Sequence, residues 1–413
     1  MDQRTSSVGS AVVLVCKDNN RGLDVGGKAY SQLLDPIGAS LKERGIAVHS
    51  VPDSRRSKFI GPAAENCPRP FRPEEAAAFV IAGRLRRAGL RRAAMSLAVA
   101  AWSHVLRQLD TGLIVAIQPS EALCRAGHLC GVKIIDFQHG QINLRSAYYR
   151  RCKEYLDRGQ WTLVPSEVRC WDEISAVGVT SLIGLPSGVA GHPGLAIRHH
   201  PPVLAPVQWR RPTSVSRMPT GHGRELPVVL VVDSWTSGIE DEMRRKSFLA
   251  AVAETSQLVP KMQFIVRAHP VQFRTCWDLT LSEYAEIFGE QFDLRSCAEA
   301  VQTPLFDLLS QARLMVTRGS GAIIEASYLG VPVGVVQTDR RELRELFQDE
   351  YLKKLEYLPS DSRRIASWIS SHLGRGFTTE VGQSTDIHRA AMECWLDSIA
   401  EELSGALAGS KAS

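Results

Sequence analysis

Three short segments of this 413-residue sequence carry residue types that do chemistry. The first is Thr317 to Pro332, TRGSGAIIEASYLGVP, where an apolar run of strand length turns into a helical pattern. Gly319 and Gly321 allow close backbone approach. Free N–H groups and the Ser320 hydroxyl at a helix start make an anion site, worth roughly 0.3–1 kcal/mol per charge from the helix dipole. Glu325, one turn further on, is suited to accept hydrogen bonds from ribose hydroxyls. The second segment, Arg267-Ala268-His269-Pro270, ends another apolar run. It brings a cation and an imidazole donor to the same sheet edge, and Pro270 holds the residue before it extended. Arg267, His269, Gly319, Ser320, Gly321 and Glu325 together predict a diphosphate or phosphodiester ligand, most simply a nucleotide, at the carboxyl ends of parallel strands. The competing structural reading makes Ser320 a plain helix cap, with Glu325 favoured by the dipole.

The third segment is Asp136-Phe137-Gln138-His139-Gly140. Gly140 permits a tight turn that exposes His139, and a neutral histidine facing a substrate hydroxyl is a suitable general base, worth typically 10²–10⁴-fold in rate. Gln138 and Asp136 are the other catalytic candidates here. Asp136 is not a simple orienter of His139, because residues three apart in a strand point to opposite faces. After the first strand, Asp18 and Asn19, with Gly26 and Gly27, form a polar loop suited to line a cleft and contact donor or acceptor. It equally fits an ordinary connection. It does not match GxGxxG, so a nicotinamide or flavin is not expected. Arg84, Arg86, Arg87, Arg91 and Arg92 form a basic cluster on a helical segment. The alternatives are a surface for anionic lipid or charged glycan, or a solvated helix face.

These segments need a sheet to hold them. Ala11–Cys16, Leu113–Ile117, Lys133–Phe137, Trp161–Val164 and Ser181–Ile183 read as strands of a first β/α series, with a strand restarting at Ile46–Val48. Glu74–Leu109 reads as a long helical region broken near Gly83 and Gly89, and Glu167–Val177 as a helix. A second series starts at Pro227–Asp233 and runs through Gln263–Val266, Gln311–Val316 and Val331–Val336. The pattern predicts an α/β chain with two Rossmann-like domains facing a cleft. The expected divisions are 1–185 for an acceptor domain, 186–225 for a Pro-rich linker, 226–386 for a donor domain, and 387–413 for a C-terminal helix packing across domains.

The bulk properties bound the function. A chain of this length exceeds one compact core. A net charge of +5 favours an anionic ligand or surface but is far from a nucleic-acid-binding composition. The nine cysteines include no CxxC pair, so neither a zinc site nor a disulfide framework is expected. The opening MDQRTSSVGS has no apolar core, and no apolar run approaches the ~20 residues of a membrane span. A cytoplasmic protein is expected, with room for peripheral contact at the inner face of a membrane.

The combination IIDFQHG…YY, RAHP and GSGAIIEASYLGVP resembles bacterial GT-B-fold glycosyltransferases that build capsule, lipopolysaccharide and related surface polymers. The resemblance spans roughly residues 110 to 340. It implies a nucleotide-sugar donor, weakly favouring a CMP-sugar such as Kdo, and a glycan or lipid-linked acceptor. It also implies that His269 and Ser320 bind the donor phosphate, Glu325 its ribose, and that His139 faces the acceptor or the transferred sugar. No cofactor and no metal are expected, because helix dipole, His and Arg offset the leaving-phosphate charge. Non-hydrolysing nucleotide-sugar 2-epimerases share the fold, but their Gly-Thr-Arg-Pro start and Thr-Glu-Arg-Pro tail are absent. Here the first strand ends Cys16-Lys17-Asp18, and Gln337-Thr338-Asp339-Arg340 follows Val336. A non-catalytic nucleotide-binding protein is the third reading.

Overall fold

The computed structural model describes residues 10–16, 23–25, 28–53, 71–197, 226–234, 239–289, 294–338, 340–373 and 381–411. Two compact units divide the chain, one of residues 1–201 with 385–413 and one of residues 202–384.

In the N-terminal unit the strands are β1 (Ala11–Cys16), β2 (Leu23–Val25), β3 (Lys28–Tyr30), β4 (Ala47–Pro52), β5 (Thr111–Ala116), β6 (Lys133–Phe137), β7 (Glu167–Cys170) and β8 (Ser187–Val189). Six of them form one sheet in the order β4-β1-β5-β6-β7-β8, and every pair is parallel. β2 and β3 form a separate antiparallel hairpin. Val13, Ile114, Val115 and Ile135 in the central strands are buried. This continuous apolar composition is what a parallel sheet covered on both faces requires.

The periodic apolar runs give the central strands, but the outer part differs from the sequence reading. Trp161–Leu163 is a 3₁₀ turn and Val179–Ile183 a single π turn, where strands were expected. The strands instead are β7 and β8, and the helix expected over Glu167–Val177 begins only at Glu173, capped by the Asp172 carboxylate, which accepts from Ser175 N at 2.7 Å. Short apolar runs do not distinguish a strand from a packed turn. β8 and the helix Pro193–Ala196 also occupy part of the expected linker, and the rest of it, 198–225, lies outside the described residues. The long helical region is interrupted once, at Gly89 with φ 80°, while Gly83 lies inside the helix Pro73–Arg87.

The C-terminal helix Val381–Lys411 returns to the N-terminal unit. Met392, Trp395, Leu396, Ile399 and Leu403 are its buried stripe, spaced as one helix face. At about 1.5–3 kcal/mol per large apolar side chain, that stripe stabilises the docking by roughly 10 kcal/mol before entropy. Trp395 stacks on Phe137 of β6 with ring centres 5.4 Å apart. Upstream, His192 N donates to His388 Nδ1 at 3.1 Å, and Gly191, at φ 77°, lies directly against the His388 carbonyl. Burial holds both His192 and His388 below the usual histidine range, which suits the His388 ring to accept from the backbone.

The second unit carries β9 (Val228–Val232), β10 (Gln263–Arg267), β11 (Ala312–Thr317), β12 (Val333–Val336) and β13 (Leu355–Leu358). Their order is β10-β9-β11-β12-β13, again all parallel. The chain therefore leaves β9 to one side for β10 and crosses to the other side for β11. Such a switch point opens a crevice at the carboxyl edge, which is where ligands of this architecture bind.

Candidate functional site

At the carboxyl edge of the second unit, His269 follows β10 and caps the helix Pro270–Thr275. Its Nδ1 accepts from Val271 N at 3.2 Å, and its own N–H donates to Gln272 Oε1 at 2.7 Å. With Nδ1 committed as an acceptor, the neutral ring carries its proton on Nε2. The half-buried side chain is thereby set up as a hydrogen-bond donor.

The other side of Gln272 reaches the interior. Its Nε2 donates to Asp233 Oδ2 at 3.3 Å, just past the end of β9. That carboxylate is buried and also accepts from Tyr284 Oη at 2.7 Å and Arg245 Nη1 at 2.9 Å, and Arg245 pairs with Glu283. Burial pushes the Asp233 carboxyl up while Arg245 pulls it back. Asp233, Gln272, Arg245 and Tyr284 are missing from the sequence-level site. The one local signal was a carboxylate closing the apolar run VVLVVD.

On the far side of β9, Thr317 ends β11 and organises the glycine turn. Its hydroxyl donates to the Val232 carbonyl at 2.9 Å and accepts from Gly319 N at 3.4 Å and Ser320 N at 3.3 Å. Gly319 has φ 149°, and a Cβ there would press on Leu343 at 3.2 Å. Ser320 Oγ accepts from Ala322 N at 3.3 Å from one position before the helix cap, so it braces the turn and is not the N-cap considered from the sequence. Gly321 is the N-cap of the helix Ala322–Tyr328. His269 and the Gly319-Ser320-Gly321 turn thus flank β9 at one edge.

Arg267 does not join them. Its guanidinium is buried and donates to the carbonyls of Ala300 and, at 2.6 Å, Thr303, closing the end of the helix Leu294–Gln302. A helix C-terminus leaves carbonyls to be satisfied, and a cation suits its dipole. Burial lowers Arg267 to about 10 against the pull of Glu325. Glu325 is half-buried, and burial pushes its carboxyl up to about 7, with the opposing charge of Arg267 a smaller effect. It is therefore poised between its two protonation states near neutrality.

In the N-terminal unit, Gln138 is fully buried and organises the turn bearing His139. Its Nε2 donates to the Gly140 carbonyl at 2.9 Å and to Ser175 Oγ at 3.0 Å, and its Oε1 accepts from Trp171 N at 2.8 Å. With every polar atom spent on the protein, Gln138 positions the loop rather than facing a ligand. His139 itself is half-buried at the strand end. Asp136 is also fully buried. Its Oδ1 accepts from Gln118 N at 2.7 Å. Gln118 sits at φ 50°, a conformation unfavourable for a residue with a side chain, and the bond to Asp136 secures it. Burial and the Asp136 charge keep Tyr148 and Tyr149 well above the usual tyrosine range. Asp18, Asn19, Gly26 and Gly27 lie outside the described residues. Among the described residues no group of three or more His, Cys, Asp or Glu is placed to hold a metal ion.

No family model matches the sequence, and no curated protein matches it. Solved structures do match its backbone. A UDP-N-acetylglucosamine 2-epimerase is similar at a TM-score of 0.52 and 11% identity over 97% of this chain and 94% of that one. The UDP-GlcNAc 2-epimerase from Neisseria meningitidis bound to UDP-GlcNAc gives 0.51 and 12% over 95% and 99%. The glycotransferase of kitacinnamycin gives 0.47 and 13% over 96% and 99%. The fold is of the GT-B type. At these identities the likeness is one of fold, and the GT-B architecture by itself leaves transfer and epimerisation both open.

Proposed function

We propose that this chain is a glycosyltransferase that moves a sugar from a nucleotide-activated donor to a glycan or lipid-linked acceptor in surface polysaccharide biosynthesis. The observation that carries the reading is the His269 cap, which holds an Nε2 donor at the switch-point edge across β9 from the Gly319-Ser320-Gly321 turn. That pairing suits a nucleotide diphosphate or phosphodiester, with Glu325 toward the ribose. His139 would take the acceptor hydroxyl proton as the oxygen attacks the anomeric carbon. The sugar–phosphate bond breaks and its electron pair leaves on the phosphate, stabilised by the His269 donor. The resemblance weakly favours a CMP-sugar, and no metal is required for this scheme.

The epimerase reading is supported by three fold neighbours of that name with TM-scores above 0.5. Against it stands the lack of both Arg-Pro marks at Cys16-Lys17-Asp18 and Gln337-Thr338-Asp339-Arg340. Thermal stabilisation by CMP, CDP, UDP, GDP, ADP and dTDP, with and without divalent metal, establishes the donor class. A nucleotide at about 100 times its Kd adds roughly 2.7 kcal/mol to the folded state. With the nucleotide known, His269→Ala is expected to weaken donor binding and His139→Ala mainly to lower kcat. Interconversion of UDP-GlcNAc epimers without an acceptor would establish the epimerase instead. No stabilisation by any nucleotide would remove the donor site altogether.

A further inference from the structure

The helices Pro73–Arg87 and Arg91–Gln108 pack as a hairpin, with Phe71, Phe79 and Trp102 clustered on the inner face at ring-centre distances of 4.8 to 5.6 Å. The outer face and tip are unusual. Arg84, Arg86, Arg87, Arg91 and Arg92 are all exposed, and no Asp or Glu occurs between Glu75 and Asp110. Interleaved with them, Val80, Ile81 and Leu90 are 54%, 47% and 55% exposed. At 3.6 residues per turn, Val80, Ile81, Arg84 and Arg87 share the side opposite buried Glu75 and Ala82.

Water does not favour this arrangement. Arg84 and Arg87, three apart, repel each other. Leu90 stands at the helix cap without a side-chain hydrogen bond, and Arg91 and Arg92 begin the next helix at the end where the dipole disfavours cations. A solvated helix face relieves such repulsion with intervening acids, and none is present. An anionic lipid surface relieves all of these features together. Its phosphates neutralise the arginines, and the boundary between headgroups and acyl chains takes up Val80, Ile81 and Leu90. A soluble polyanion would satisfy only the arginines.

We infer that the tip of this helical hairpin is a docking surface for an anionic lipid bilayer. The contact is peripheral, since no helix among the described residues is long and apolar enough to cross a membrane. The inference is independent of the nucleotide-sugar reading, because a chain that binds no nucleotide would dock equally well.

The test is co-sedimentation of the full chain with vesicles of phosphatidylcholine alone and of phosphatidylcholine mixed with phosphatidylglycerol. The chain is expected to pellet with the mixed vesicles only. A basic residue near such a surface is worth roughly fivefold in partitioning, so combining Arg84→Gln, Arg87→Gln, Arg91→Gln and Arg92→Gln should weaken binding by on the order of a hundredfold or more. Val80→Ser with Ile81→Ser keeps every charge and should still weaken binding by about tenfold. All six positions are exposed, so an unchanged unfolding midpoint confirms that each variant folds. Equal pelleting with both vesicles would overturn the inference. So would undiminished binding of the Val80→Ser, Ile81→Ser variant, and so would retention on dextran sulfate with no vesicle binding, which would make the patch a site for a soluble anionic glycan.

Discussion

Glu325→Gln should make the protein more stable at alkaline pH while weakening the proposed nucleotide site. Burial raises the Glu325 carboxyl from an ordinary 4.5 to about 7, so the folded state binds its proton more tightly than the unfolded chain does. Stability from this group is fully present below the ordinary value and is lost as pH rises toward 7, with the full cost paid above it. The displacement corresponds to about 3 kcal/mol, with under about 1 kcal/mol already lost near pH 5. Glutamine reproduces the neutral carboxyl in shape, and Arg267 keeps its carbonyl partners at Ala300 and Thr303. Urea unfolding of the wild type and variant near pH 5 and near pH 8 measures the difference. A gain of about 3 kcal/mol near pH 8 moves the midpoint by about 1–2 M at a slope near 2 kcal/mol/M. An equal gain at both pH values, or a loss near pH 8, refutes the assignment of a poised buried carboxyl. On the proposed ribose role of Glu325, the same variant should lose nucleotide affinity on the order of tenfold.

Two further perturbations isolate other parts of the fold. Gln272→Met removes the link from Asp233 to His269 N without touching the buried charge pair. It should cost about 1–2 kcal/mol of stability and weaken nucleotide binding by about tenfold, whereas Tyr284→Phe, which also bonds Asp233 but not the loop, should leave affinity unchanged in the same titration. Gly191→Ala places a Cβ 2.3 Å from the His388 carbonyl at φ 77°. It should cost about 2–5 kcal/mol and release the C-terminal helix, read as faster proteolytic cleavage within residues 385–413.

The sequence was informative where local rules decide. Apolar runs of strand length placed β1 and β6 to the residue, and His269 is extended before Pro270 as expected. It misread the edge of the first sheet because EVRC and SGV are too short and too mixed to stand out from the turns around them. In the candidate site, the strand-end positions of His269 and Ser320 followed from motif and periodicity. The burial of Arg267 did not, since its partners lie 33 and 36 residues away in sequence. Asp233 was invisible for the same reason, with partners 12, 39 and 51 residues distant. Sequence pattern reports which side chains reach a sheet edge, and only tertiary packing decides which of them remain available there.

The return of residues 385–413 to the first unit also sets an order of events during synthesis. The second unit is a single continuous stretch and has all its strands once β13 has been made. The first unit is discontinuous. Until the final helix emerges, Phe137 lacks the indole it stacks against, and the surface that Leu396, Ile399 and Leu403 later cover stays open to water. The nascent chain must therefore carry an unfinished apolar face through the whole translation of its second half, at roughly 5–20 residues per second, and it is during that interval that this protein is most exposed to aggregation and most in need of a chaperone.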